Sequence, residues 1–127
     1  MILCVVGDSH GALDRMYSDI LDFELVLRVT FPWVLHVGDF GVWPDKSRVD
    51  KATWKHDGPG DFPLWYEQQR PMPRKTLFVK GNHEDFVWLD SQPDLEVHPG
   101  LFYLRNGART KLSDGTGTLS VTGVGGC

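Results

Sequence analysis

Three short strings carry the side chains that could do chemistry: Gly7-Asp8-Ser9-His10-Gly11, Gly38-Asp39-Phe40-Gly41 and Gly81-Asn82-His83-Glu84. Asp8 and His10, two apart in what reads as an extended loop, can turn to the same side and chelate one cation. Asp39 has two carboxylate oxygens and can bridge that cation to a second one, to which Asn82 offers a neutral carbonyl oxygen. Mixed nitrogen and oxygen ligation suits Mn, Fe or Zn better than Ca, and the imidazole of His10 disfavours Mg. Two such ions, about 3.5 to 4 Å apart, can activate a water and neutralise phosphoryl oxygens during in-line displacement. His83 follows Asn82 directly and would face the substrate, stabilising developing charge or protonating the leaving alkoxide, with a carboxylate holding its other nitrogen. Each string alone has a plainer reading. A Gly-Asp after a strand is often a turn, and Asn82 could simply cap a helix. Three of them in this order, each after an apolar run, favour a site.

The elements that must position these loops are legible in the apolar pattern. Ile2 to Val6 reads as a fully buried strand, too short and continuous to alternate. From Ala12, Leu13, Met16, Tyr17, Ile20 and Leu21 recur at helical spacing, with Asp14, Arg15, Ser18, Asp19 and Asp22 on the other face. The helix runs on or breaks after Phe23, and Pro32 sets its latest end. Trp33 to Val37 reads as a second buried strand, which delivers Asp39 to the same sheet edge as Asp8 if the crossover is right-handed and the strands parallel. Lys75 to Lys80 reads as a third, feeding Asn82 and His83. Open α/β sheets build their sites at the carboxyl ends of such strands. Between them, prolines and glycines interrupt residues 43 to 75, leaving helices around Asp45 to Lys55 and Leu64 to Gln69. A short helix follows from Asp85 to Leu89. Beyond Pro93 the pattern predicts an antiparallel meander over Leu101 to Leu104, Arg109 to Leu112 and Leu119 to Val124, with hairpin-type turns at Asn106-Gly107 and Asp114-Gly115. His98 falls in a stretch that reads as ordinary surface loop.

With 127 residues, 41% hydrophobic and 24% charged, the chain fits a single domain over 1–127. No apolar stretch reaches the roughly 18 residues of a membrane span and the start lacks signal-peptide features, so a cytoplasmic location and no membrane partner are expected. Cys4 reads as a small buried hydrophobe and Cys127 is the last residue, so no disulfide is expected. A net charge of −4 argues against a generic nucleic-acid binder. Positions 46 to 80 nevertheless hold eight Lys/Arg against four Asp/Glu. With Trp54, Trp65 and Tyr66 among them, this segment could contact a nucleic-acid backbone or a small phosphorylated molecule, or be amphipathic helices with solvated charge.

The ordered strings resemble the pattern of the calcineurin-like metallophosphoesterase superfamily: D-x-H, then G-D, then G-N-H-E. The resemblance spans nearly the whole chain. It implies a four-layer α-β-β-α sandwich that hydrolyses phosphate mono- or diesters with two divalent ions. Carried onto this chain, it makes Asp8 and His10 ligands of the first ion, Asp39 the bridge, Asn82 a ligand of the second ion and His83 the catalytic histidine. Substrates would be a phosphorylated small molecule or a nucleic-acid phosphodiester. Two later family elements, a lone His and a Gly-His-x-His, have no counterpart in these residues. The expectation is therefore a domain lacking its carboxyl-terminal part, the alternative being a non-catalytic interaction module with a degenerate metal site. Gly41-Val42-Trp43-Pro44 stands where protein Ser/Thr phosphatases carry Arg-Gly, which disfavours that subclass. The stretch from Gly100 to Gly126 is similar to the lariat-debranching branch and to bacterial and phage phosphoesterases, although debranching enzymes often have Cys where this chain has Asp8.

Overall fold

The computed structural model describes residues 1–56 and 58–125, so that Cys127 lies outside the described residues. Five short strands form one sheet in the order β1-β2-β3-β5-β4: β1 Cys4–Val6, β2 Val34–His36, β3 Thr76–Phe78, β5 Leu101–Tyr103 and β4 Glu96–His98. The first four in that order are parallel, and only β4, against β5, is antiparallel. The chain is therefore mixed α/β with a mostly parallel sheet, as the strand-helix-strand pattern predicts. A separate hairpin, β6 Arg109–Ser113 and β7 Thr118–Thr122, makes a second, two-stranded sheet.

Alternation along each strand divides the apolar residues between two faces. Val34 of β2, Phe78 of β3, and Leu101 and Tyr103 of β5 join the larger core with helix α1 (Leu13–Leu27) and helix α3 (Phe62–Glu67). Leu35, Leu77 and Phe102 point the other way, where Leu104 and the hairpin's Leu112 and Val121 cover them. Helix α1 buries Leu13, Met16, Tyr17 and Ile20, the face predicted from spacing, and it also buries Glu24. That carboxylate is satisfied by Arg74, at 2.7 and 2.8 Å, and by the Phe31 amide, as a buried charge requires. The helix runs on to Leu27 and ends where Arg28 adopts a left-handed conformation, φ 56°. Ala12 has no side chain with which to cap it. Asp61, distant in sequence, accepts instead from the amides of Leu13 (2.7 Å) and Asp14 (3.0 Å).

Several expectations are corrected by this arrangement. The first strand is not fully buried: β1 is an edge strand, with Ile2 56% and Val5 63% exposed, because a continuous apolar run does not reveal which strand lies outermost. The expected helix from Asp45 to Lys55 is split into a 3-10 turn, Lys46–Arg48, and helix α2, Lys51–Lys55, with Asp45 and Asp50 each capping one piece. The region after Pro93 is not one meander. Leu101 to Tyr103 is an interior parallel strand beside β3, and only the last two strands form the antiparallel pair. His98 is not surface loop: it lies on β4, 4% exposed, with its Nε2–H donating to the Arg70 carbonyl at 2.6 Å. The turn at Asp114 is longer than two residues, its carboxylate accepting from the amides of Thr116 and Gly117. Among the described residues, no helix is long and apolar enough to cross a membrane.

Candidate metal centre

Because β1, β2 and β3 are adjacent and parallel, the three loops leave the sheet at one edge and meet. Backbone hydrogen bonds lace the first loop to the second: Asp8 N–H to Gly38 O (3.1 Å), His10 N–H to Asp39 O (2.9 Å) and Gly11 N–H to Phe40 O (2.7 Å). The first loop is not extended as its sequence suggested. Asp8 and His10 have φ of 54° and 48°, and Asp39 matches them at 53°. Left-handed backbone at a non-glycine residue costs on the order of 1–2 kcal/mol, and three such residues in one small region persist because the lacing over-determines them.

The third loop is bound to the second through side chains. Asp39 Oδ1 accepts from the amides of Asn82 (2.8 Å) and His83 (3.0 Å). A Cβ at Gly81 would run into the Asp39 carboxylate, so this approach requires glycine. Glu84, 2% exposed, reaches back across the site: Oε1 accepts from Gly41 N–H at 2.6 Å and Val42 N–H at 3.3 Å, and Oε2 from Gly81 N–H at 2.7 Å. Burial pushes its carboxyl pKa up, and those amides hold it back. Glu84 is thus a clamp between two loops.

One potential ligand atom each from Asp8, His10 and Asp39 lies within 4.8 Å of the other two. Asn82 stands beside them, its amide 3.0 and 3.2 Å from the two Asp39 oxygens. With its nitrogen turned to the carboxylate, the amide donates to it. With its oxygen turned there, acceptor faces acceptor, a contact that a cation relieves. Among the described residues His10 Nδ1 is buried with no hydrogen-bond partner, a condition that native polar groups rarely tolerate. Two carboxylates, an imidazole and an amide oxygen fit a divalent transition metal. The structure therefore brings Asp8, His10, Asp39 and Asn82 together.

His83 joins them, its ring centroid 5.1 Å from that of His10, and the residue is 9% exposed. Among the described residues the partner of its ring is a hydroxyl and not a carboxylate: Nδ1 of His83 lies 3.2 Å from Oγ1 of Thr53 on α2. The exposed His56 ring stands edge-on, 5.6 Å away on centroids. Trp43 Nε1–H donates to the His83 carbonyl at 3.1 Å.

Sequence reasoning missed His36, Ser9 and Thr53. Gly38 N–H donates to His36 Nδ1 at 3.2 Å, so Nε2 carries the proton and donates to Ser9 Oγ (2.9 Å), which in turn donates to the Phe40 carbonyl (3.0 Å). This relay props the first loop against the second. Burial holds the His36 pKa down at about 4, with the Asp39 charge pulling it upward and His10 lowering it further. A histidine inside the apolar run just before Gly38-Asp39 was the available signal. Thr53, in an irregular region, left none. His98 lies outside the Asp8–His10–Asp39 group, on the sheet's opposite edge.

No family model matches the chain. It is, however, 31% identical over 84 residues to the lariat debranching enzyme of Entamoeba histolytica, covering 65% of this chain and 24% of that protein. To the lariat debranching enzyme of Arabidopsis thaliana it is 28% identical over 92 residues, 69% of this chain and 22% of the relative. To that of Gallus gallus it is 30% identical over 107 residues, 82% of this chain and 20% of the relative. The chain thus spans between a fifth and a quarter of the length of these curated relatives. Three loops converging on Asp8, His10 and Asp39, together with this run of similarity, make the chain similar to lariat debranching enzymes and, at the broader level, to the calcineurin-like metallophosphoesterases.

Proposed function

We propose that the three-loop centre is that of a dinuclear metal-dependent phosphoesterase hydrolysing phosphate mono- or diesters. The observation that carries the proposal is the gathering of Asp8, His10 and Asp39 within 4.8 Å at the sheet edge, with His83 alongside. Asp8 and His10 would hold one ion, Asn82 the other, and Asp39 both, the ions being of the Mn, Fe or Zn type. Divalent ions held there would supply charge neutralisation and a water acidic enough to ionise near neutral pH. The chain's own residues do the rest. The neutral Asn82 limits negative charge where an anionic substrate docks, and His83 gives a proton to the leaving oxygen. Similarity to lariat debranching enzymes favours a nucleic-acid phosphodiester as substrate. The basic segment from 46 to 80, which packs beside His83 through Thr53, is compatible with it. We further propose that residues 1–127 belong to one domain of four-layer α-β-β-α design. The β6–β7 hairpin, packed on the sheet face away from α1, stands where a second sheet would lie.

Asp39→Asn provides the test, because it keeps an oxygen for the Asn82 and His83 amides while removing the bridging charge. The wild-type chain should bind Mn in calorimetry and hydrolyse p-nitrophenyl phosphate or its bis-ester. The variant should lose metal uptake and at least about 100-fold in rate. Unchanged metal content would remove Asp39 as the bridge. A wild-type chain that takes up no metal and hydrolyses neither ester would favour the interaction-module reading.

A further inference from the structure

Between Asp39 and β3 the chain leaves the sheet and returns beside the third loop. Its attachments are specific. Asp85 N–H donates to the Val42 carbonyl at 2.8 Å, and Arg48 Nε–H donates to Asp85 Oδ2 at 2.9 Å. Asp85 in turn caps helix α4 (Phe86–Ser91) through the Trp88 amide, so the segment is pinned to the element that follows His83. Two residues after Arg48, Asp50 caps α2 by accepting from Thr53 N–H at 2.7 Å. The buried residue of this five-residue helix is not apolar. It is Thr53, 1% exposed, and its hydroxyl meets the His83 ring. A buried hydroxyl is tolerated where it has a partner, and here that partner is the imidazole proposed to act on substrate.

We infer that Thr53 is the positioning residue of His83, its hydroxyl fixing Nδ1 so that Nε2 remains the nitrogen free to serve the leaving group. The inference rests on the phosphoesterase reading. An imidazole can turn about its ring torsion and exchange its two nitrogens, and the hydrogen bond made by one sets the work of the other. Backbone contacts do not settle that choice: the Asp39 carboxylate and Trp43 hold the main chain of His83, not its ring. The neighbouring rings of His10 and His56 give the ring aromatic contacts, not hydrogen bonds. Among the described residues, Thr53 supplies that bond. In the proposed step, the N–H bond at Nε2 breaks and its proton passes to the departing oxygen. The Nδ1–H stays on Thr53 Oγ1 before and after, so the ring does not reorient during transfer.

Thr53→Val keeps the shape and removes the hydroxyl, and Thr53→Ser keeps the hydroxyl. Each variant is compared with wild type on two esters of equal charge, one with a weakly basic p-nitrophenolate leaving group and one with a strongly basic alkoxide. If Thr53 aims a proton donor, Thr53→Val lowers kcat on the alkyl ester about 10- to 100-fold while changing KM and the aryl rate less than about 3-fold, and Thr53→Ser restores it. Equal losses on both esters would reduce Thr53 to a packing role and overturn the inference. A second readout needs neither metal nor turnover. Nuclear Overhauser contacts between residue 53 and the His83 ring should report one ring orientation in wild type and Thr53→Ser, and averaging in Thr53→Val. Identical ring behaviour in all three also overturns it. A wild-type chain that hydrolyses neither ester with Mn sinks the phosphoesterase reading instead, and the ring measurement still decides the role of Thr53.

Discussion

On the α1 face of the central sheet, Leu13, Tyr17, Val34, Phe78 and Tyr103 are at most 2% exposed. On the opposite face the described core is Leu77, Leu104 and Leu112, while Val5 and Val37 stand 63% and 64% exposed. The difference shows which side of the sheet supports the site. Phe40, carried directly after Asp39, is wholly buried in the α1-side core against His36 and Phe78. The second loop is thus anchored by packing on that face. The hairpin packs on the sheet's second surface through Leu112 and Val121.

The largest effect should come from the anchored face. Phe78→Ala removes a ring stacked on Tyr103 and packed on Phe40, and should lower unfolding free energy by about 3–5 kcal/mol in urea melts. A loss under 1 kcal/mol would abolish the distinction between the faces. Next in size is a pH effect on the same face. His36 has its pKa at about 4 in the folded chain against 6.5 ordinarily. As pH falls through 6.5, the unfolded chain takes up a proton that the folded chain refuses until about pH 4. Stability is therefore fully present above pH 6.5 and declines across that window by about 3 kcal/mol. In His36→Gln that slope should flatten, at the expense of lower stability at pH 7; an unchanged slope would assign the decline to other groups. The smallest effects belong to the hairpin face. Leu112→Ala should cost about 2 kcal/mol in the same melts, since its small cluster can relax, and Val5→Thr less than about 0.5 kcal/mol. A Val5→Thr loss as large as that of Leu112→Ala would mean that the β1 edge is covered in solution.

Much of the site was readable before the fold. The Gly-flanked strings after apolar runs were placed at strand ends, and those strands do lie side by side and parallel. The buried stripe of α1 followed from spacing alone, because a helix shows its core face within four residues. Other features were not readable, for identifiable reasons. The continuous run from Ile2 to Val6 looks the same in an edge strand as in a central one, so the exposure of Val5 was hidden. The strand at Glu96 to His98 is three residues long and bulged, too short to display a period. The left-handed turns at Asp8 and His10 occur at residues with no glycine-like freedom, and only the ladder to the second loop holds them there.

Residue type and local order were sufficient to propose Asp8, His10, Asp39, Asn82 and His83 as a set, because a ligand must be polar and a loop beyond a strand can present it, and the three loops that carry them do converge. Only the tertiary structure decided what each of these touches. The hydroxyl on His83 comes from thirty residues earlier, the clamp from Glu84 spans more than forty to Gly41, and the cap on α1 comes from Asp61. Such partners depend on how the segment from 43 to 75 packs back over the loops. That path is set by cooperative burial and by Arg48 finding Asp85, not by any pattern its own residues display.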